Sequence, residues 1–190
     1  MACFILQENN TMFIHIPKTG GSALHSELQN QNKVALTIPG HLSVKSMHIA
    51  RGIEVFSIVR NPYERMKSIY RHYYVKDLEN TSNKTFEQFV IGVKNSFKSD
   101  GLPMNDLPHV KSQSYWVCDS SGNVNIDTVL KYESYDSEVI EFLNKKNIDI
   151  TFIPKERVGD RNIKAELNDN IKEIIYEIYQ SDFINFNYNK

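Results

Sequence analysis

Residues 12–22 read MFIHIPKTGGS, and this stretch decides the fold. Met12 to Ile16 is a short run of apolar and β-favouring residues that stops at a proline. Such a run predicts a buried strand that enters a tight loop. From Ser22 the apolar residues take helical spacing, with Ser22 as the expected N-cap. The stretch therefore predicts a strand, a glycine loop and a helix, in that order.

The loop at 17–22 has the composition of a cradle for an oxyanion. Gly20 and Gly21 allow backbone N–H groups to approach a phosphate, and Lys18 adds positive charge at a helix N-terminus. A lysine beside two glycines is, on its own, more often a plain turn. The nucleoside-triphosphate loop G-x-x-x-x-G-K-[ST] is absent, because the lysine precedes the glycines. This order disfavours a kinase or an ATPase.

A second strand, loop and helix follow at 54–73. Glu54 to Val59 predicts a strand, and Pro62 suits the first turn of the next helix. Arg60 lies at the end of that strand, and Ser68 lies about two helical turns further on. Both contact one ligand only if the ligand packs on that helix face. The alternative is a solvated basic helix.

The rest of the chain continues the alternation of strands and helices. Thr85 and Gln88 form a capping-box pattern, and the turn-rich residues 95–108 predict a surface loop. We expect further strands at 33–38, 128–132 and 150–153, and further helices at 134–146 and 169–180. The pattern predicts a single α/β domain over residues 1–190, with a mostly parallel sheet flanked by helices and ligands at the carboxyl ends of the strands.

Composition limits the possible partners and the compartment. The formal net charge of -1 provides no global attraction for nucleic acid or an anionic membrane. Cys3 and Cys118 lack the spacing of a zinc or redox site and are expected to be free thiols. No stretch approaches the roughly 20 apolar residues that span a bilayer. The sequence therefore predicts a soluble, cytoplasmic protein without nucleic-acid partners.

Together the two loops resemble those of the sulfotransferases that use 3′-phosphoadenosine 5′-phosphosulfate (PAPS). Residues 13–22 are similar to the 5′-phosphosulfate motif of the carbohydrate sulfotransferases, and residues 59–68 to the 3′-phosphate motif. Weaker similarity at 108–109, 113–114, 131–133 and 179–188 extends the resemblance over almost the whole chain. One departure is Asn187, where the family commonly has glycine. The resemblance implies the P-loop-like sulfotransferase fold.

The resemblance also assigns roles to residues in both motifs. Lys18 is expected to contact the bridging oxygen and the transferring sulfuryl group. Arg60 and Ser68 are expected to bind the 3′-phosphate. No metal is implied. The expected 5′-phosphate cradle consists of Thr19, Gly20, Gly21, Ser22 and Ala23.

A base is expected near the sulfur, because the acceptor hydroxyl loses a proton as it attacks. His41 is the first candidate, since residues 40–41 resemble the segment that holds a catalytic histidine in heparan and chondroitin-type relatives. We expect His41 in an exposed loop, apart from both phosphate segments. His109 is the second candidate, and His109 and Gln113 are candidate substrate-binding residues. His15, within a strand, is expected to be a core residue.

The sequence therefore predicts transfer of the sulfuryl group from PAPS to a hydroxyl of a carbohydrate or another small acceptor, by in-line displacement. Two alternatives stay open. One is a nucleotide-binding or glycan-binding module without turnover, and the other is an ATP-dependent small-molecule kinase. Five basic residues either contact an anionic glycan or form a solvated face: Arg51, Arg65, Lys67, Arg71 and Lys76.

Overall fold

The computed structural model describes residues 2–7, 9–97, 108–151 and 163–190. These residues form two compact units. One unit contains the chain up to Arg60 together with the segment that begins at Gln113, and the other contains Asn61–Ser112 and the C-terminal residues. The prediction of one domain over residues 1–190 stays a prediction.

The first unit holds a five-stranded sheet with the order β3-β1-β2-β4-β5. Strands β2 and β4 pair in parallel, as do β4 and β5, whereas β1 pairs antiparallel with both β2 and β3. The strands are β1 (Ala2–Leu6), β2 (Thr11–Ile14), β3 (Val34–Pro39), β4 (Glu54–Val59) and β5 (Thr128–Lys131). The α/β prediction is confirmed, and the sheet is mixed.

Strand β1 accounts for the mixed character of the sheet. Its five residues were not among the strands expected from the sequence. The chain reverses between Leu6 and Thr11, so β1 lies antiparallel beside β2 and separates it from β3. The strand expected at 150–153 is not observed at Ile150, which is buried outside any strand, and residues 152–153 lie outside the described ranges.

Within the described part of the first unit there are three α-helices: α1 (Gly21–Asn30), α4 (Gln113–Val117) and α5 (Ile140–Lys145). Leu24 and Leu28 of α1 and Leu143 of α5 join the apolar side chains of the sheet, such as Phe13 and Phe56, in one core. The expected helix at 134–146 begins instead with a 3₁₀ turn and a π-helical turn before α5. This core fixes α1, and therefore the loop before it, against the sheet.

The second unit is helical and has an aromatic core. Its helices are α2 (Pro62–Lys76), α3 (Phe86–Ser96) and α6 (Asp169–Asn185). The predicted capping box is confirmed, because the Thr85 hydroxyl accepts from the Gln88 N–H and the Gln88 side chain accepts from the Thr85 N–H. Residues 98–107 of the expected surface loop lie outside the described ranges.

The C-terminal helix is longer than expected. It continues to Asn185 rather than ending near residue 180, with a break in helical geometry at Tyr179. Asn187, just past its end, has a φ of 52°. Asparagine tolerates this left-handed backbone, as glycine does at many helix ends. Within the described residues, no helix has both the length and the apolar character needed to cross a membrane.

Candidate active site

The loop between β2 and α1 has a backbone that few residues adopt. Lys18 has a φ of 71° and Gly20 a φ of 88°. Thr19 lies between them and is fully buried, with its hydroxyl donating to the Ile16 carbonyl at 2.9 Å. Gly20, and not Ser22 as expected, is the N-cap of α1. Two left-handed residues turn the chain sharply between the strand and the helix.

Both glycines are required by close neighbours. A Cβ on Gly21 would lie 2.2 Å from His15 Cδ2, and one on Gly20 would lie 2.8 Å from a ring carbon of Tyr132. Tyr135 also contacts this turn, because its hydroxyl donates to the Gly20 carbonyl at 3.0 Å. Aromatic rings therefore hold the glycine turn from two sides.

The start of α1 suits an anion. The first N–H groups of an α-helix have no partner within the helix, and the helix dipole favours negative charge there. Gly20 to Ala23 supply these amides, and Lys18 and Thr19 directly precede them. The shape of the loop and its donors therefore fit a phosphate or sulfate group.

Arg60 follows β4, the parallel neighbour of β2, at the same edge of the sheet. The Arg60 guanidinium carbon lies 4.4 Å from the centre of the Tyr132 ring, and Nη1 is 3.5 Å from the Lys18 carbonyl oxygen. The main chain of Arg60 is bonded to the side chain of Gln113. The fold thus brings Arg60 to the lysine of the first loop.

His41 belongs to the first unit and lies near the glycine loop. The expectation of an exposed position, apart from both phosphate segments, is therefore wrong. The His41 ring is 5.4 Å from that of His15 and 5.7 Å from that of Trp116, and it is partly buried. Because His15 contacts Gly21, His41 is one ring removed from the glycine turn. Burial lowers the pKa of His41, and a hydrogen bond with the His15 backbone opposes this shift. A lowered pKa favours the neutral imidazole, which can accept a proton.

These features agree with a family comparison that covers nearly the whole chain. Residues 2–189 match the model of the sulfotransferase family. The chain belongs to the sulfotransferase family. It is therefore a PAPS-dependent sulfotransferase, as the two motifs indicated.

A crystal structure of mouse sulfotransferase SULT7A1 complexed with PAP is similar at 17% sequence identity and a TM-score of 0.48, covering 98% of this chain and 68% of that chain. A comparison with curated proteins finds no match.

Ser68, the second expected 3′-phosphate ligand, belongs to α2 in the helical unit and is partly buried. Asn61 caps this helix, because its side chain accepts from the N–H groups of Tyr63 and Glu64. Lys67, beside Ser68, forms an ion pair with Glu64 at 2.6 Å. Ser68 therefore lies on a well-capped helix that begins two residues after Arg60.

Arg65 was expected on a basic surface and is instead fully buried. Its Nη2 donates to the carbonyls of His109 and Lys111, each at 3.0 Å. Burial lowers the pKa of the guanidinium, and the nearby Tyr179 and Asp182 oppose this shift. Arg65 therefore holds the segment at 109–111 from within the sulfotransferase and does not face solvent.

The two candidate substrate-binding residues have different surroundings. The His109 ring packs against His72 at 5.0 Å and Tyr73 at 5.8 Å in the helical unit. Gln113 is fully buried in the other unit, where both ends of its amide bond Arg60. His109 and Gln113 therefore belong to separate units.

Sequence reasoning missed the roles of three aromatic residues around the loops. Tyr132 contacts both Arg60 and Gly20, Tyr135 bonds Gly20, and Trp116 packs on His41. Tyr132 lies in a segment with family resemblance, yet nothing in its neighbours along the chain indicates a contact with residue 60. Trp116 is buried.

Proposed function

We propose that this enzyme transfers the sulfuryl group of PAPS to a hydroxyl of a carbohydrate, or of another small acceptor, by in-line displacement. The observation that carries the proposal is the approach of the two donor motifs. Arg60, at the end of β4, reaches within 3.5 Å of the Lys18 carbonyl in the glycine loop after β2. A donor with phosphates at both its 5′ and 3′ positions needs one anion-binding group for each phosphate, and the glycine loop and Arg60 provide them at one edge of the sheet.

The proposed donor contacts follow from this arrangement. The amides of residues 19–23 bind the 5′-phosphate at the start of α1, where N–H groups and helix dipole favour an anion. Arg60 binds the 3′-phosphate by charge-assisted hydrogen bonds. Ser68 stays a candidate second donor to this phosphate, on the resemblance of residues 59–68 to the 3′-phosphate motif. Lys18 lies beside the bridging oxygen between phosphate and sulfate. The left-handed backbone at Lys18 supports this placement, because it turns the residue out of the strand direction.

In the proposed step, the acceptor oxygen forms a bond to sulfur as the bond from sulfur to the bridging phosphate oxygen breaks. The negative charge that develops on the leaving 3′-phosphoadenosine 5′-phosphate (PAP) is stabilised by Lys18 and the loop amides. The proton of the acceptor hydroxyl moves to the neutral ring of His41. The lowered pKa of His41 supports this role, because it keeps the ring unprotonated near neutral pH.

A carbohydrate acceptor is supported by the sequence of the two motifs, since residues 13–22 and 59–68 resemble those of the carbohydrate sulfotransferases. The Gly40-His41 segment supports the same subgroup. His109 stays a candidate for acceptor binding.

The test is a screen with ³⁵S-labelled PAPS against uronic-acid-containing oligosaccharides, neutral oligosaccharides and simple phenols, with EDTA present. We expect label on at least one oligosaccharide and none on phenols. Labelling of phenols alone would contradict the carbohydrate proposal. Absence of transfer to any acceptor, with tight PAP binding, would favour a binding module, and transfer of ³²P from ATP with Mg²⁺ would favour a kinase.

A further inference from the structure

Gln113 bonds the main chain of Arg60 through both ends of its side-chain amide. The Arg60 N–H donates to Gln113 Oε1 at 2.7 Å, and Gln113 Nε2 donates to the Arg60 carbonyl at 2.8 Å. The Gln113 side chain is fully buried. Water therefore cannot readily replace either bond, and loss of the side chain leaves two backbone groups without these partners.

These two bonds act where the main chain leaves the sheet. Arg60 immediately follows β4, whose last paired residue is Val59. Beyond the last paired residue of a strand, no hydrogen bond of the sheet restrains the two soft dihedrals φ and ψ of the main chain. The two bonds from Gln113 restrain the Arg60 main chain as pairing with a neighbouring strand would. They thereby set the direction in which the Arg60 side chain points.

Two other contacts hold the guanidinium itself. Tyr132 lies under it at 4.4 Å, and the Lys18 carbonyl lies 3.5 Å from Nη1. Tyr132 is fixed in turn, because it packs against Gly20 in the glycine turn. With the main chain and the guanidinium both held, Arg60 is ordered before any ligand arrives. Ordering in advance reduces the entropy lost on binding.

We propose that Gln113 is a positioning residue for donor recognition, which orients Arg60 toward the 3′-phosphate through the Arg60 main chain. This inference rests on the proposed function, because it requires Arg60 to bind that phosphate. It gives Gln113 a different role from the acceptor contact expected from sequence. Both amide ends of Gln113 are already engaged by Arg60.

The experiment measures Kd for PAP and for 5′-AMP by calorimetry in four proteins: wild type, Arg60→Ala, Gln113→Met and the double variant. The Kd for 5′-AMP divided by the Kd for PAP reports the contribution of the 3′-phosphate to binding. We expect Arg60→Ala to reduce this ratio about 10- to 100-fold and Gln113→Met about 5- to 10-fold. In the double variant the ratio should equal that of Arg60→Ala, because Gln113 acts only through Arg60.

Val117→Ala is the matched control. Val117 is fully buried on the same short helix as Gln113, so the variant reports general loosening of α4 and should leave the ratio unchanged. If Gln113→Met does not fold, Gln113→Asn replaces it. That side chain keeps the amide but is one methylene shorter, so both bonds to the Arg60 main chain should weaken and the ratio should fall by a smaller factor.

Four results would overturn the inference. Equal losses for PAP and 5′-AMP in Gln113→Met would indicate a purely structural role. A loss that adds to that of Arg60→Ala in the double variant would indicate a route that bypasses Arg60. An unchanged ratio in the Gln113 variants, with a reduced ratio in Arg60→Ala, would reject Gln113 alone. An unchanged ratio in Arg60→Ala would instead reject the proposed role of Arg60, and the inference with it.

Discussion

At the scale of single residues, the candidate site depends on side chains that constrain the backbone of their neighbours. His15 excludes any side chain at position 21, and Tyr132 does so at position 20. Lys18 adopts a left-handed φ without being glycine. Such a backbone costs of order 1–3 kcal/mol and is typical of functional sites. The loop is thus shaped by its surroundings as much as by its own residues.

Replacing Lys18 with alanine should lower turnover far more than donor affinity, because the lysine charge matters most as negative charge grows on the leaving oxygen. Removal of one such electrostatic donor typically lowers kcat by about 10²- to 10³-fold. The check is kcat from labelled transfer together with Kd for PAP. Lys45→Ala, at an exposed lysine of the same unit, is the control and should leave both unchanged. Unchanged kcat in Lys18→Ala would remove Lys18 from the mechanism.

Replacing His41 with alanine should lower kcat by about 10²- to 10⁴-fold, the usual contribution of a positioned base. Because burial lowers its pKa, the acidic limb of the wild-type profile of kcat/KM should lie below pH ~6.5, where His41 becomes protonated and inactive as a base. The variant should lose that limb. Its folding requires a check by thermal unfolding, since His41 packs on His15 and Trp116. Retained activity in His41→Ala, with loss in His109→Ala, would show that the base was misassigned.

At the scale of elements, short helices and turns hold the functional side chains. The five-residue helix α4 contributes both Gln113, which bonds Arg60, and Trp116, which packs on His41. Helix α2 presents Ser68 while it buries Arg65. The basic pattern of 60–71 therefore divides into one internal cation and several residues at least partly open to solvent.

Replacing Arg65 with methionine should destabilise the protein by about 3–5 kcal/mol, the usual cost of removing one partner from a buried charged network. The carbonyls of His109 and Lys111 lose their donor, and Asp182 loses a nearby positive charge. The measurement is the free energy of unfolding in urea. Lys67→Met, on the same helix, is the control and should cost about 1 kcal/mol or less, because its partner Glu64 is about half exposed to solvent. Equal effects of the two substitutions would contradict the internal role of Arg65.

At the scale of the whole molecule, donor binding and stability are linked by mass action. A ligand that binds only the folded protein raises the apparent stability of the protein, by an amount set by the ligand concentration and the Kd. The nucleotide product PAP contains both phosphates but no sulfate. It therefore tests donor recognition without any acceptor.

With PAP at 100 times its Kd, the protein should gain about 2.7 kcal/mol of stability. For a chain of this length, that gain corresponds to a rise in Tm of roughly 5–11 °C. We expect the rise in the presence of EDTA, and a smaller rise with 5′-AMP at the same concentration. A rise that depends on Mg²⁺ and is larger with ATP would favour the kinase alternative.

The sequence by itself determined the elements whose signals lie within a few residues. Glu54–Val59 was predicted with its observed bounds, and the Thr85 capping box and the strand-loop-helix order around residues 17–22 are confirmed. Each of these depends on local periodicity, capping or backbone preference. The family was also determined at this level, because the two motifs are contiguous segments.

Only the tertiary structure decided which distant residues meet. The contacts of Arg60 with Gln113 and Tyr132, the burial of Arg65, and the packing of His41 on His15 all join residues that are far apart in the chain or hidden by the fold. Strand β1 is likewise defined by its antiparallel pairing with β2 and β3. Local patterns carry no information on such pairings, because they arise from the sheet order and from burial. A cation on an amphipathic helix looks alike in sequence whether it faces water or the core, and the packing around it decides which.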